Sequence, residues 1–149
     1  MSSCVGQKRP KLTKRQEDAA YTDATLRDGG NEFNNIGQCQ RCGRFGQCDR
    51  DHRQNRDAWN TTPANLQLLG SAFGCGCHKW KTENPAEAER LGFSVPRWAD
   101  PLTWPGFRRG VGWVRYFDEP DEAGRWWEPL TVDRAVALML RKEVDVGEP

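Results

Sequence analysis

Two histidines and six cysteines carry most of the chemistry open to this chain. His52 follows Asp51 in CDRDHRQNR, and His78 follows Cys77 in GCGCHKW. A neutral imidazole, with an ordinary pKa of about 6.5, is a suitable proton acceptor at cellular pH. A neighbouring carboxylate can hold an oxygen-loving cation. A chain so sparing of histidine has placed both beside potential metal ligands.

The cysteines point to a second kind of metal site. Cys39-Gln-Arg-Cys42, followed by Gly43, has the spacing that lets two thiolates reach one tetrahedral zinc, and glycine relieves the tight turn. Cys75-Gly-Cys77 lies further along the chain, so Cys39, Cys42, Cys75 and Cys77 form a candidate structural zinc site. Cys48 competes for the fourth place, and free buried thiols are the plainer alternative. Cys4 stands alone and is assigned no function. A structural zinc can supply roughly 10 kcal/mol toward folding, which a small core needs.

The core is expected to be small. Of 149 residues 36% are hydrophobic, with nine Pro and fifteen Gly, so loops should be abundant. No stretch is long enough to span a membrane, and the N-terminus lacks the apolar segment of a secretion signal. Both features predict a cytoplasmic protein whose closely spaced cysteines bind metal in preference to pairing as disulfides. The net charge of +1 does not announce a nucleic-acid binder. Arg41, Arg44, Arg50, Arg53 and Arg56, clustered around the candidate sites, suit a phosphate-rich ligand, although charge alone favours a solvated loop.

These side chains must be positioned by few elements. The residues from Leu12 to Arg27 predict a helix with Thr13 as N-cap and Gln16 closing a capping box, stopped at Asp28-Gly29-Gly30. NEFNNIG reads as a polar loop. Asn84 as cap, Pro85 at the first helical position and Gly92 at the end delimit another helix. VGWVRYF and RWWEPL read as two strands around an acidic turn. A C-terminal helix follows, with Thr131 as cap and Val132, Ala135, Val136, Met139 and Leu140 as its apolar face. The tryptophans of the second half are expected to pack rather than stack on bases.

The order of motifs is specific: CQRCG at 39–43, DHR at 51–53, NLQLL at 65–69 and CHKWKTENPAEAERLGFSVPRWADP at 77–101. It resembles the HNH endonucleases, in particular the small phage and prophage type with a zinc-stapled ββα-metal core. The resemblance covers about residues 38–101. It implies a small α+β fold: a ββα-metal (His-Me finger) core with a Cys4 zinc knuckle, an N-terminal helix, and a C-terminal β-hairpin plus helix. The implied organisation is a basic arm and helix at 1–37, the nuclease core at 38–101 and a Trp-rich extension at 102–149.

The implied activity is metal-dependent hydrolysis of DNA phosphodiesters. His52 is then the general base, Asn65 ties the loop that follows it, and Asp51 and His78 hold one catalytic Mg2+ or Mn2+. DNA would be contacted mainly through its phosphate backbone. If phage-encoded, the protein would act in the host cytoplasm, and family habit places such proteins beside a phage terminase. Two departures from the pattern stand out. Thr82 occupies the place of a frequent further metal-ligand His. Gly70 stands where relatives often have Cys, with Cys75 supplying that thiolate from further along the loop. A zinc-binding DNA or protein adaptor on the same scaffold, without catalysis, is the main alternative. A zinc-ribbon interaction module using the Trp-rich tail is a third.

Overall fold

A computed structural model describes residues 10–31 and 33–140. The segments outside these bounds include Cys4 and the basic N-terminal arm. The described chain is a small α+β protein with four helices and two antiparallel three-stranded sheets.

Helix α1 (Lys14–Arg27) begins as its sequence dictates. Thr13 Oγ1 accepts from the Gln16 N–H, and Gln16 Oε1 accepts from the Thr13 N–H, closing the capping box. Short strand β1 (Ile36–Gln38) lies in the stretch expected to be a polar loop, where it pairs with the start of β2 (Phe45–His52). Three residues are too few to show an alternating pattern, so the strand left no mark in the sequence.

Strand β2 pairs along its far half with β3 (Leu66–Gly70), His52 opposite Leu66 and Asp51 opposite Gln67. Opposed residues share a face. His52 and Leu66 therefore face α1, where Leu66 packs on Ala20, Ala24 and Tyr21. Asp49, Asp51 and Gln67 face the other way, towards α2 (Cys77–Glu83). Helix α3 (Pro85–Arg90) follows directly, with Pro85 in its first turn. Asn84 does not cap α3 with its side chain; its amide donates instead to the Trp80 carbonyl, tying down the end of α2.

The second sheet contains three strands where two were expected: β4 (Gly106–Arg108), β5 (Gly112–Tyr116) and β6 (Trp127–Pro129). Helix α4 (Val132–Met139) is capped by Thr131, whose Oγ1 accepts from the Arg134 N–H. Its buried residues are Ala135, which was expected on the apolar face, and Leu138, which was not; Val132, Val136 and Leu140 of the expected face are exposed. The tryptophans do pack in part: Trp104 is buried edge-on against Trp98, and Trp113 meets Phe107 in the same way.

The two sheets are joined through buried charge. Asp28, at the end of α1, accepts from Arg27 Nε at 2.8 Å, Arg108 Nη1 at 2.5 Å and the Leu68 N–H at 3.1 Å. Arg27 also donates to the Pro63 and Leu66 carbonyls. Arg53, almost wholly buried, donates to the carbonyls of Ala64, Pro101 and Trp104. Both guanidiniums lie over the Tyr116 ring, at 4.3 and 5.0 Å from its centroid.

Burial pushes the Asp28 carboxyl upward, but the charges and hydrogen bonds of Arg27 and Arg108 outweigh it and hold it below the usual carboxylate range. Its folded pKa lies below an unfolded value of about 3.9. Its contribution is therefore present above about pH 4 and is lost as pH falls through the folded value. Asp28→Asn keeps the shape but leaves a buried guanidinium unpaired. The variant should lose about 3–5 kcal/mol at pH 7, read by urea unfolding of the zinc-loaded protein. A loss under 1 kcal/mol would show that the cluster is not a structural hinge point.

Candidate metal and catalytic site

The Sγ atoms of Cys39, Cys42, Cys75 and Cys77 all lie within 4.8 Å of one another. They come from two separate stretches of chain. Cys39 and Cys42 flank the turn after β1, closed by the Gly43 N–H on the Cys39 carbonyl, with Gly43 at φ +83°. Cys77 opens α2, and Cys75 sits in the loop before it. A Cβ built on Gly70 would fall 2.0 Å from Cys75 Sγ. The cysteine expected on β3 by resemblance is thus replaced in space by Cys75, and only glycine leaves room for it.

Cys48 is not part of this group. Its Sγ lies 3.5 Å from the Gly37 carbonyl, and burial pushes its thiol up to about 12. That decides between the two candidates for the fourth place. The four clustered thiols fit a divalent ion such as zinc. Burial pushes Cys77 up to about 12 although Arg41 donates to its sulfur. Cys42 is also pushed up by burial, but the Arg44 backbone and the neighbouring thiols outweigh this and bring it down to about 7. Four crowded sulfurs cannot all ionise unaided, and a cation resolves the conflict.

One residue beyond Cys77, the polypeptide delivers His78 to β2. His78 Nε2 lies 3.2 Å from Asp51 Oδ1, and His78 Nδ1 lies 2.6 Å from Asp49 Oδ2. The hydrogen bond to Asp51 leads the causes that raise His78 to about 9, against its partial burial. Asp51 itself is buried. Its Oδ2 accepts from Lys81 Nζ at 2.6 Å and from Gln67 Nε2 at 2.9 Å. Burial pushes Asp51 up, but His78, Lys81 and Gln67 together hold it below the ordinary range. Gln67 Oε1 is left without a hydrogen-bond partner.

Ligand atoms at right angles around Mg2+, with bonds of about 2.0–2.1 Å, stand about 3 Å apart. The Asp51 Oδ1 to His78 Nε2 separation of 3.2 Å is close to that span. Thr82 contributes nothing here: its hydroxyl donates back to the His78 carbonyl. Lys81, at the preceding position, turns towards the site and also donates to the His52 carbonyl at 2.6 Å. Sequence reasoning overlooked both Asp49 and Lys81. Asp49 has the strand parity of Asp51, and Lys81 lies one helical turn from His78, so both signals were present.

His52 projects from the opposite face of β2. Its Nε2 lies 2.9 Å from Thr61 Oγ1, and its ring meets Tyr21 edge-on at 5.9 Å. Burial leads the influences on this imidazole and holds it below its ordinary range, so it is neutral at pH 7. Asn65 is buried and fully engaged. Its amide donates to the Gln54 and Asn60 carbonyls and accepts from the Gln54 N–H, clamping the loop that leaves His52.

The arginine cluster needs correction. Arg53 is structural and buried, Arg41 lies over Trp80 at 3.7 Å, and Arg56 pairs with Glu17. Arg44 and Arg50 are exposed. A local run of arginines showed charge but not orientation, and the acceptors that bury Arg53 come from distant segments.

No family model, no curated protein and no solved structure matches this chain.

The cysteine geometry makes a sharp prediction. Protein purified with zinc should carry one ion per chain by atomic absorption, retained in Cys48→Ser. It should be lost or strongly weakened in Cys75→Ser and in Gly70→Ala. Full retention in Gly70→Ala would refute the close approach of Cys75 to β3.

Proposed function

We propose that this protein is a metal-dependent DNA endonuclease of the HNH kind. The observation that carries this reading is the pairing of Asp51 with His78 at cation-sharing distance while the adjacent His52 emerges on the other side of the same strand. The succession β2, β3, α2 with these residues at the strand end and helix start agrees with a ββα-metal core. Among the described residues no helix is long and apolar enough to cross a membrane.

In this reading Asp51 and His78 would hold the ion, which when bound supplies charge stabilisation to the phosphoryl and leaving oxygens. His52 accepts the proton of the attacking water while the bond from phosphorus to the 3′ oxygen breaks. The ends would be a 5′-phosphate and a 3′-hydroxyl. Thr61 and Tyr21 fix the His52 ring, and the Asn65 clamp keeps its loop from shifting. Within the arginine run, Arg44 and Arg50 are exposed, and in this reading they meet the phosphate backbone. A place beside a phage terminase belongs to the same reading and rests on the resemblance alone.

One observation favours an adaptor without catalysis. Lys81 already places an ammonium on Asp51 Oδ2, so the buried carboxylate is satisfied without an added ion. Nicking of supercoiled plasmid separates the readings. Zinc-loaded wild type should convert it to open circles with Mg2+ or Mn2+, and His52→Ala should be slower by about 10²–10⁴-fold. Folded wild type that leaves the plasmid intact with either ion would establish the adaptor.

A further inference from the structure

The resemblance offers no role for Asp49, yet Asp49 makes the shortest contact to His78. Its Oδ2 lies 2.6 Å from His78 Nδ1, while His78 Nε2 lies 3.2 Å from Asp51 Oδ1. One imidazole is thus held at both nitrogens by carboxylates two residues apart on a single strand face. The alternation of β2 brings Asp49 and Asp51 to the same side, and the start of α2 inserts His78 between them.

The two carboxylates differ in their surroundings. The Asp51 side chain is only 7% exposed and also accepts from Lys81 and Gln67, whereas Asp49 is 46% exposed. Asp49 borders an open groove of about 750 Å³ shared with Asn35, Gln47, Ser71 and Phe73. Among the described residues, His78 is the one hydrogen-bonding partner of its carboxylate.

We infer that Asp49 is a positioning residue that holds the proton of His78 on Nδ1 and so presents Nε2 as the ligand to a divalent cation shared with Asp51. Metal-bound imidazoles commonly donate their other N–H to a carboxylate, which fixes ring orientation and tautomer and raises ligand basicity. Here the donor and acceptor are already aligned. Asp49 cannot join the same ion as a direct ligand in this arrangement, because the ring of His78 stands between it and the Asp51 side. The inference rests on the metal-dependent reading above and extends it to a residue outside the HNH pattern.

The experiment uses the zinc-loaded full chain without DNA. Mn2+ binding is followed by electron paramagnetic resonance for wild type, Asp49→Asn and Asp49→Ala, with zinc content and circular dichroism confirming the fold. Both variants should bind Mn2+ about 10–100-fold more weakly. Loss of a nearby negative charge would also weaken binding, so a second readout follows the ring itself. Long-range nitrogen–proton spectra of His78 in the Mg2+-loaded wild type should show one tautomer, with the proton on Nδ1. Asp49→Ala should show a mixture or the opposite tautomer at the same Mg2+ occupancy.

Equal Mn2+ affinity in all three proteins, or a His78 tautomer unchanged in Asp49→Ala, overturns the role of Asp49 and leaves the nuclease reading standing. Failure of wild type to bind Mn2+ overturns both together. Plasmid nicking that fails while Asp49 governs Mn2+ affinity removes the nuclease reading alone.

Discussion

Everything else in this structure depends on where Asp28 goes. A carboxylate with no exposed surface to speak of joins the end of the first helix, the backbone of β3 and a guanidinium from β4. Such a group stabilises little relative to an apolar replacement, because desolvation consumes most of the Coulomb gain. It is nonetheless highly selective. A shift of any of the three elements by an ångström or two leaves a buried charge without its partner, which costs several kcal/mol. With so small an apolar core, geometry here is specified more by charge satisfaction than by packing volume.

That fixed frame explains how one short hairpin can serve two purposes. Its α1-facing side carries Leu66, His52 and Arg50, the last two against Tyr21, and its α2-facing side carries carboxylates. The cysteine cluster then locks α2 by its first residue, so His78 inherits its position from the neighbouring Cys77. The short helix needs this help. Seven residues with no side-chain N-cap would be marginal in isolation.

The sequence was most legible where a local rule decides the outcome. Thr13 and Thr131 cap as their spacing requires, and the C-x2-C turn with its glycine brings two sulfurs together. Legibility failed where distant segments decide. Nothing local distinguishes Arg53, with its three carbonyl acceptors in remote stretches, from exposed Arg50. The apolar stripe of α4 was read from periodicity, but of its members Ala135 alone is buried, joined by Leu138 from outside the stripe. The choice between Cys48 and Cys75 was beyond spacing rules, because it turns on the missing side chain of Gly70. Asp49 and Lys81 lay within reach of periodicity, through the strand parity of Asp51 and the helical turn from His78.

Arg53 also bears on where this protein can be cut. Two of its carbonyl acceptors, Pro101 and Trp104, and the aromatic ring beneath it lie at or beyond the end of the stretch that carries the motifs. Burial pulls this guanidinium down to about 10, a measure of how poorly it tolerates its site even when complete. A chain ended at residue 101 would strip away the Trp104 carbonyl and Tyr116, and would remove Arg108 from Asp28 in the same stroke. The region after residue 101 therefore completes the surroundings of both buried charges. A fragment trimmed to the motif-bearing stretch would keep Arg53 and Asp28 but lose these partners for both.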